Sequence, residues 1–348
     1  MKASVSCYGL PTDFTGIIVT AVVGDSVPIV SAVSHGIIDT AGGGQYVEVT
    51  VDDSTGCTGI KSDTGGGAVA WTSFAIVDGT TVKGIPGAHA AGVVDVVVTN
   101  MNGDSTTGTG LLEYWTPAQI TSIDCYLDAN KGVTATLGNV SQWVDQSANA
   151  RTFTQATGAN KPAQPGSVFG TLPGIRFTPQ QFLSLASKVT LAGGQSVFSV
   201  AKWTAATNTT SSNAGNCPLT IVGDRVGAYS SFGATAGQIR SNHLDGSGVT
   251  VVLADRGSGL NDGNPRLIGA TYDTTVNVKA YVGATQQGAT LTDALGLSGS
   301  NGYDTIGAGF GGDGWDGDLG AVIIVSGVIS GGDLAKLNAW AQQRFGTS

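Results

Sequence analysis

The most constraining stretch is Gly311–Gly346, which reads GGDGWDGDLGAVIIVSGVISGGDLAKLNAWAQQRFG. A glycine and aspartate turn leads into an apolar run from Leu319 to Val325, the length of one buried strand. The period then changes. Leu334, Leu337, Trp340, Ala341 and Phe345 recur at helical spacing and share one face of a helix expected over Gly332–Phe345. Asp333 falls in its first turn and Arg344 in its last, the charge order that complements a helix dipole. A strand followed by one terminal helix is an unusual ending for a β-rich chain.

The rest of the sequence is β-rich. Of 348 residues, 54 are Gly and 12% are charged, while 41% are hydrophobic, with much Val and Ile. This excludes a disordered polymer and predicts an all-β chain with many tight turns. The length suffices for two domains, each with its own core. Charge divides them: residues 1–116 hold three Lys, no Arg and eleven acids, whereas residues 117–348 hold thirteen basic and fourteen acidic residues. Neither part has the basic footprint of a nucleic-acid binder, so no nucleic-acid partner is expected. The acidic first part calls for a neutral or basic partner.

Cys7, Cys57, Cys125 and Cys217 are far apart and form no CxxC pair, so free, buried thiols are expected rather than a zinc site. The N-terminal apolar run is broken by Cys7-Tyr8-Gly9-Leu10-Pro11 and Asp13, which does not read as a secretory leader. No span approaches the ~20 apolar residues of a transmembrane helix. Synthesis in a cytoplasm without membrane insertion is the expectation.

Residues 1–27 contain Thr15-Gly16-Ile17-Ile18-Val19-Thr20-Ala21-Val22-Val23, either a first strand or an arm that docks on a neighbour's sheet edge. Further on, Val94, Val96 and Val98 alternate with Asp95, Val97 and Thr99, the period of a strand packed on one face, and Asn100-Met101-Asn102-Gly103-Asp104 supplies a hairpin turn. Pro28-Ile29-Val30-Ser31-Ala32-Val33-Ser34, then Thr40-Ala41-Gly42-Gly43, then Pro86 to Asn100 with Gly103 and Tyr114, resemble an IPT/TIG-type immunoglobulin-like domain. His35 stands where that family has proline. The resemblance implies a spacer or docking module over 28–116. Trp115-Thr116-Pro117-Ala118 reads as the junction, because Pro117 ends the preceding strand.

In the remainder, strands are expected at Ile123–Ala129, Ser196–Trp203, Leu219–Val222, Val249–Leu253, Leu267–Tyr272 and Val276–Gly283, with an exposed polar loop over Thr204–Asn216. Three motifs stand out: Trp143-Val144-Asp145-Gln146-Ser147-Ala148-Asn149, Leu172-Pro173-Gly174-Ile175-Arg176-Phe177 and Trp315-Asp316-Gly317-Asp318-Leu319-Gly320. In this order they resemble concanavalin A-like, laminin G-like jelly-roll domains, although Ala321 replaces that family's usual glutamate. The resemblance implies an immunoglobulin-like sandwich followed by a jelly-roll sandwich with a short C-terminal helix, the second domain covering 117–348.

Chemistry is sparse. Glycosidases work with paired carboxylates, yet the only two glutamates, Glu48 and Glu113, lie in the first part. A Ser-His-Asp arrangement needs a histidine, and His243 alone is available in the second part. No catalytic residues are assigned and no enzyme is expected. Trp315, Tyr303 and Tyr229 are the candidate sugar-stacking aromatics, with Trp315 reading equally as a core plug. Asp313, Asp316 and Asp318 crowd one loop and could offer oxygen ligands to calcium, though aspartates in turns also bond their own backbone. Calcium is the one cofactor weighed; otherwise none is expected.

This combination resembles virion surface proteins of tailed bacteriophages. The resemblance implies a capsid decoration protein, made in the host cytoplasm and homo-oligomeric on the particle. It would dock on the major capsid protein or neighbouring subunits through its N-terminal half and display a lectin-like domain that could meet cell-surface glycans. A fibre tip, or a bacterial adhesin or carbohydrate-binding module, is the alternative.

Overall fold

The computed structural model describes residues 26–65, 67–106, 108–191, 194–203, 220–223, 230–235, 238–244, 250–252, 260, 262–273, 277–292, 302–308 and 315–348, with strand residues 220–252 and 291–292 described as backbone only. The run Thr15–Val23, the loop Thr204–Asn216, and Cys7 and Cys217 lie outside the described residues. The chain divides into two compact units, residues 1–114 and 115–348, and both are built mainly of β-sheet.

The first unit is a sandwich of two sheets. One runs Val30–Val33, Val47–Val51, Thr81–Ile85, Thr72–Asp78, with antiparallel neighbours throughout. The other runs Ile37–Ile38, Leu112–Tyr114, Gly92–Asn100, Cys57–Asp63, Val69–Ala70. Alternation decides what each strand buries. Val47, Val49 and Val51 point inward while Glu48 and Thr50 face solvent, and Val94, Val96 and Val98 answer from the second sheet. The hairpin at Asn100–Gly103 forms as its turn residues predict. Ser62 Oγ accepts from Trp71 Nε1 at 2.8 Å and lies 3.0 Å from Tyr114 Oη, so the polar tips of the two large core rings are satisfied.

In the second unit, one sheet runs Ile123–Asp128, Gly317–Ser326, Gln195–Trp203, Arg266–Tyr272, Asn277–Val282, Thr285–Thr292, with Ile175–Phe177 also paired to Gly317–Ser326. The other has nine strands among the described residues and includes Asn139–Val144, Leu183–Thr190 and Gly302–Ile306. Two of the sequence motifs meet here: Ile175, Arg176 and Phe177 pair in register with Leu319, Asp318 and Gly317. Gln195–Trp203 alternates in sequence but is buried on both faces. Its Val197, Ala201 and Trp203 join the inter-sheet core, whereas residues on the opposite face lie under the helix. Gly269 permits this packing, since a Cβ there would fall 2.1 Å from the Phe198 ring.

The terminal helix spans Gly331–Phe345 and buries the face read from the sequence, with Leu334, Leu337, Trp340, Ala341 and Phe345 all covered. Ser330 caps it by accepting from Asp333 N at 3.0 Å, and Gly346 ends it in the left-handed region at φ 66°. Trp340 meets Tyr126 edge-on at 5.9 Å, which seats the helix on the sheet. Cys57 and Cys125 are free and buried, as expected. No helix among the described residues is long and apolar enough to cross a membrane.

Candidate functional site

Two of the aromatics proposed as sugar platforms, Trp315 and Tyr303, do not present open faces. Trp315 is 0% exposed and meets Trp203 edge-on at 5.1 Å, so it plugs the core. Tyr303 is 2% exposed; its hydroxyl donates to Asp124 Oδ2 at 2.6 Å, and its ring stacks on Phe153. The neighbouring strands, which local sequence does not reveal, close over both rings. Tyr229 lies outside the described residues.

The aspartate loop is likewise divided. Asp318 is buried, and Arg176 clamps its two oxygens through Nε at 2.8 Å and Nη2 at 2.9 Å. That bidentate pair raises the Arg176 pKa and occupies the carboxylate. Asp316 is half-buried, and Asp313 lies outside the described residues. Among the described residues, no group of three or more His, Cys, Asp or Glu side chains converges to hold a metal.

Other described carboxylates of the second unit are also held by partners. Asp128 accepts from Arg344 Nη2 at 3.0 Å and Tyr126 Oη at 3.1 Å, linking the last helix turn to the first strand. Asp145 of the tryptophan motif accepts from Tyr126 N and Ser147 N, each at 2.8 Å. Asp124 takes a two-toothed clamp from Arg151 at 2.9 and 3.1 Å. Burial raises the Tyr303 phenol far above its ordinary range, with the nearby thiol and carboxylate adding to the effect. These groups are fixed for structure rather than presented to a substrate.

A cleft lies elsewhere in the second unit. Where the hairpin turn at Gly283 approaches the C-terminal helix, a cleft of about 360 Å³ is lined by Arg266, Val282, Gly283, Ala284, Thr285, Gln287, Asn338, Gln342 and Ser348. Gly283 has φ 59°, and a Cβ there would lie 2.7 Å from Asn338 Oδ1, so glycine both makes the turn and leaves room for the amide. Arg266 donates from Nη2 to Asp262 Oδ2 at 2.6 Å and from Nη1 to Ser348 Oγ at 3.3 Å. Burial pushes the Asp262 carboxyl up, but bonds from Arg266 and Asn264 outweigh it and hold the pKa low. Arg266 Nε is buried without a hydrogen-bond partner, and the Asn338 and Gln342 amides have none among the described residues. The sequence reading followed the apolar helix face and missed this polar one. The only local signal was the four-residue spacing of Asn338 and Gln342.

No protein-family model and no curated protein matches the chain. Among solved structures, it is similar to domain 4 of AbnA, a GH43 extracellular arabinanase from Geobacillus stearothermophilus, in complex with arabinotriose. That match has 12% identity and a TM-score of 0.43, covering 63% of this chain and 100% of that one. The binding domain of Paraclostridial Mosquitocidal Protein 1 matches at 9% identity and a TM-score of 0.43, over 64% of this chain and 52% of that one. The receptor binding domain of botulinum neurotoxin D matches at 13% identity and a TM-score of 0.42, over 64% and 53%. At this level of similarity, what those domains bind is a property of theirs alone.

Proposed function

We propose that the chain is a non-enzymatic surface protein of a tailed-bacteriophage particle. In this reading it is a head decoration protein that docks on the major capsid protein through its first unit and carries a lectin-like binding unit outward. The observation that carries the division of roles is the placement of exposed apolar side chains. Of the eight large hydrophobics exposed among the described residues, Ile29, Tyr46, Ile76, Val77, Val93 and Met101 belong to the smaller first unit, and only Leu137 and Val328 to the second. Exposed apolar surface favours a protein interface, and the acidic excess of the same unit selects a neutral or basic partner. Among the described residues, the second unit's acids are held by partners while the Asn338 and Gln342 amides of the cleft have none, which suits binding better than acid–base catalysis.

Co-sedimentation with undecorated phage heads tests this. The full chain should pellet with heads, and a chain lacking residues 1–114 should stay in the supernatant while retaining a β-type circular dichroism spectrum. Equal pelleting of both would move the docking surface to the second unit. Failure of the full chain to pellet would overturn decoration and leave the fibre-tip or adhesin reading.

A further inference from the structure

We infer that the cleft between the Gly283 turn and the C-terminal helix binds a neutral saccharide through a pair of adjacent hydroxyls. This rests on the reading of the second unit as a binding unit and is independent of how the first unit docks.

The argument starts from the valences left open. Asn338 and Gln342 stand one helical turn apart, so their amides are neighbours on one wall. A primary amide offers an acceptor oxygen and two N–H donors in one plane, and a hydroxyl both donates and accepts. Two adjacent sugar hydroxyls can therefore give to the carbonyl and take from the NH2 of the same amide. Arg266 lines the same cleft, but its Nε–H is buried and its terminal nitrogens already donate to Asp262 and Ser348, so the amides carry the recognition. Across the cleft, Gln287 Nε2 is tied to Thr285 O at 3.1 Å, which holds that side chain in place.

Charge and polarity exclude other ligand classes. The Arg266 cation is already compensated by Asp262 at 2.6 Å, so no uncompensated cation is among the described lining residues to hold an anion. No Asp or Glu side chain is among the described lining residues, so no side-chain carboxylate is there for a metal cation or an amine. Val282 and Ala284 are the only apolar side chains among its described lining residues, too few to hold a hydrophobic ligand. A volume of about 360 Å³ lies in the range of small-ligand sites. Polyhydroxyl chemistry without charge is what remains.

The test is heteronuclear NMR of the 15N-labelled full chain, following the side-chain NH2 pairs of Asn338 and Gln342. The probes are methyl mannoside, methyl glucoside, methyl galactoside, lactose and maltose, with the tripeptide Gly-Asn-Gly as amide control. At least one sugar should shift both NH2 pairs saturably. The Asn338→Ala/Gln342→Ala chain should bind that sugar at least about tenfold more weakly, the equivalent of one or two neutral hydrogen bonds. No saturable shift with any sugar, binding unchanged in the double variant, or a response to Gly-Asn-Gly alone would each overturn the inference. Should the double variant fail to fold, Gln342→Ala and Thr285→Val singly give the same readout on half-buried or exposed positions. The double variant should still pellet with heads, so a failed cleft and a failed docking surface give different results.

Discussion

In the first unit Lys61 meets Asp104 at the surface, with 27% and 47% of their side chains exposed; in the second, Arg344 meets Asp128 with 1% and 0% exposed. The same pair of charges does different work in the two places. At the surface, water solvates both ions and the attraction gains little. In the interior each ion has lost its water, so the pair is costly to assemble and far costlier to break. The first unit accordingly rests on valine packing and leaves most of its acids outside, where they give it a field. The second turns several of its described charges inward, fastening a helix and the ends of strands, and has a polar cleft.

The sharpest way to break this comparison is Arg344→Met. The methionine keeps much of the stem's packing but leaves Asp128 with Tyr126, Asn130 and the more distant Lys131 at 3.8 Å. A loss of about 3–5 kcal/mol is expected in urea unfolding. Peptide-resolved hydrogen exchange should place that loss in residues 115–348. Adding Asp128→Asn should restore a good part of it, since both charges are then gone. A loss under about 1 kcal/mol for the single change would show that burial of this pair is not what anchors the helix.

This pair also marks how far the sequence could be read. The terminal helix was legible because its apolar period is set by 3.6-residue geometry, and Arg344 was correctly placed in its last turn. That Arg344 turns inward onto Asp128, 216 residues away, depends on the order of strands in a sheet, which no local pattern carries. Similarly, the motifs around Arg176 and Asp318 were visible separately, and only the pairing of their strands makes them an ion pair. Tyr303 reads from sequence as a sugar-stacking ring, and Trp315 equally as such a ring or a core plug; both are buried, because polar and glycine neighbours in sequence say nothing about the sheet that covers them. The cleft was illegible for the same reason: Arg266, Gly283 and Asn338 become neighbours only once the strand order and the helix seat are set.

The counterpart change in the first unit is Lys61→Ala. Lys61 Nζ donates to Asp104, and this bond is the leading cause of that carboxyl's lowered pKa. Both groups are partly exposed to water, so removal should cost less than about 1 kcal/mol and the residual effect should fade as salt is raised. Urea midpoints at low and high ionic strength measure it. A salt-insensitive loss comparable to that of Arg344→Met would erase the distinction between the two units.

The smallest expected effect concerns pH, and it again belongs to the first unit. Burial pushes the His35 pKa below its ordinary 6.5, and the charge of Glu48 only partly opposes this. Ser34 Oγ accepts from Glu48 N at 2.9 Å and lies 3.0 Å from His35 Nδ1, so its hydrogen is available to a neutral ring nitrogen. The folded state therefore takes up the proton less readily than the unfolded chain. The stability this contributes is present in full above 6.5 and is lost as pH falls below that value toward the depressed folded pKa. His35→Gln should flatten the slope of stability against pH between 6.5 and the onset of general acid unfolding, with exchange slowed or quickened only in residues 26–114. An unchanged slope would assign that pH dependence to other groups. A slope of opposite sign would mean that Glu48, not burial, governs the ring.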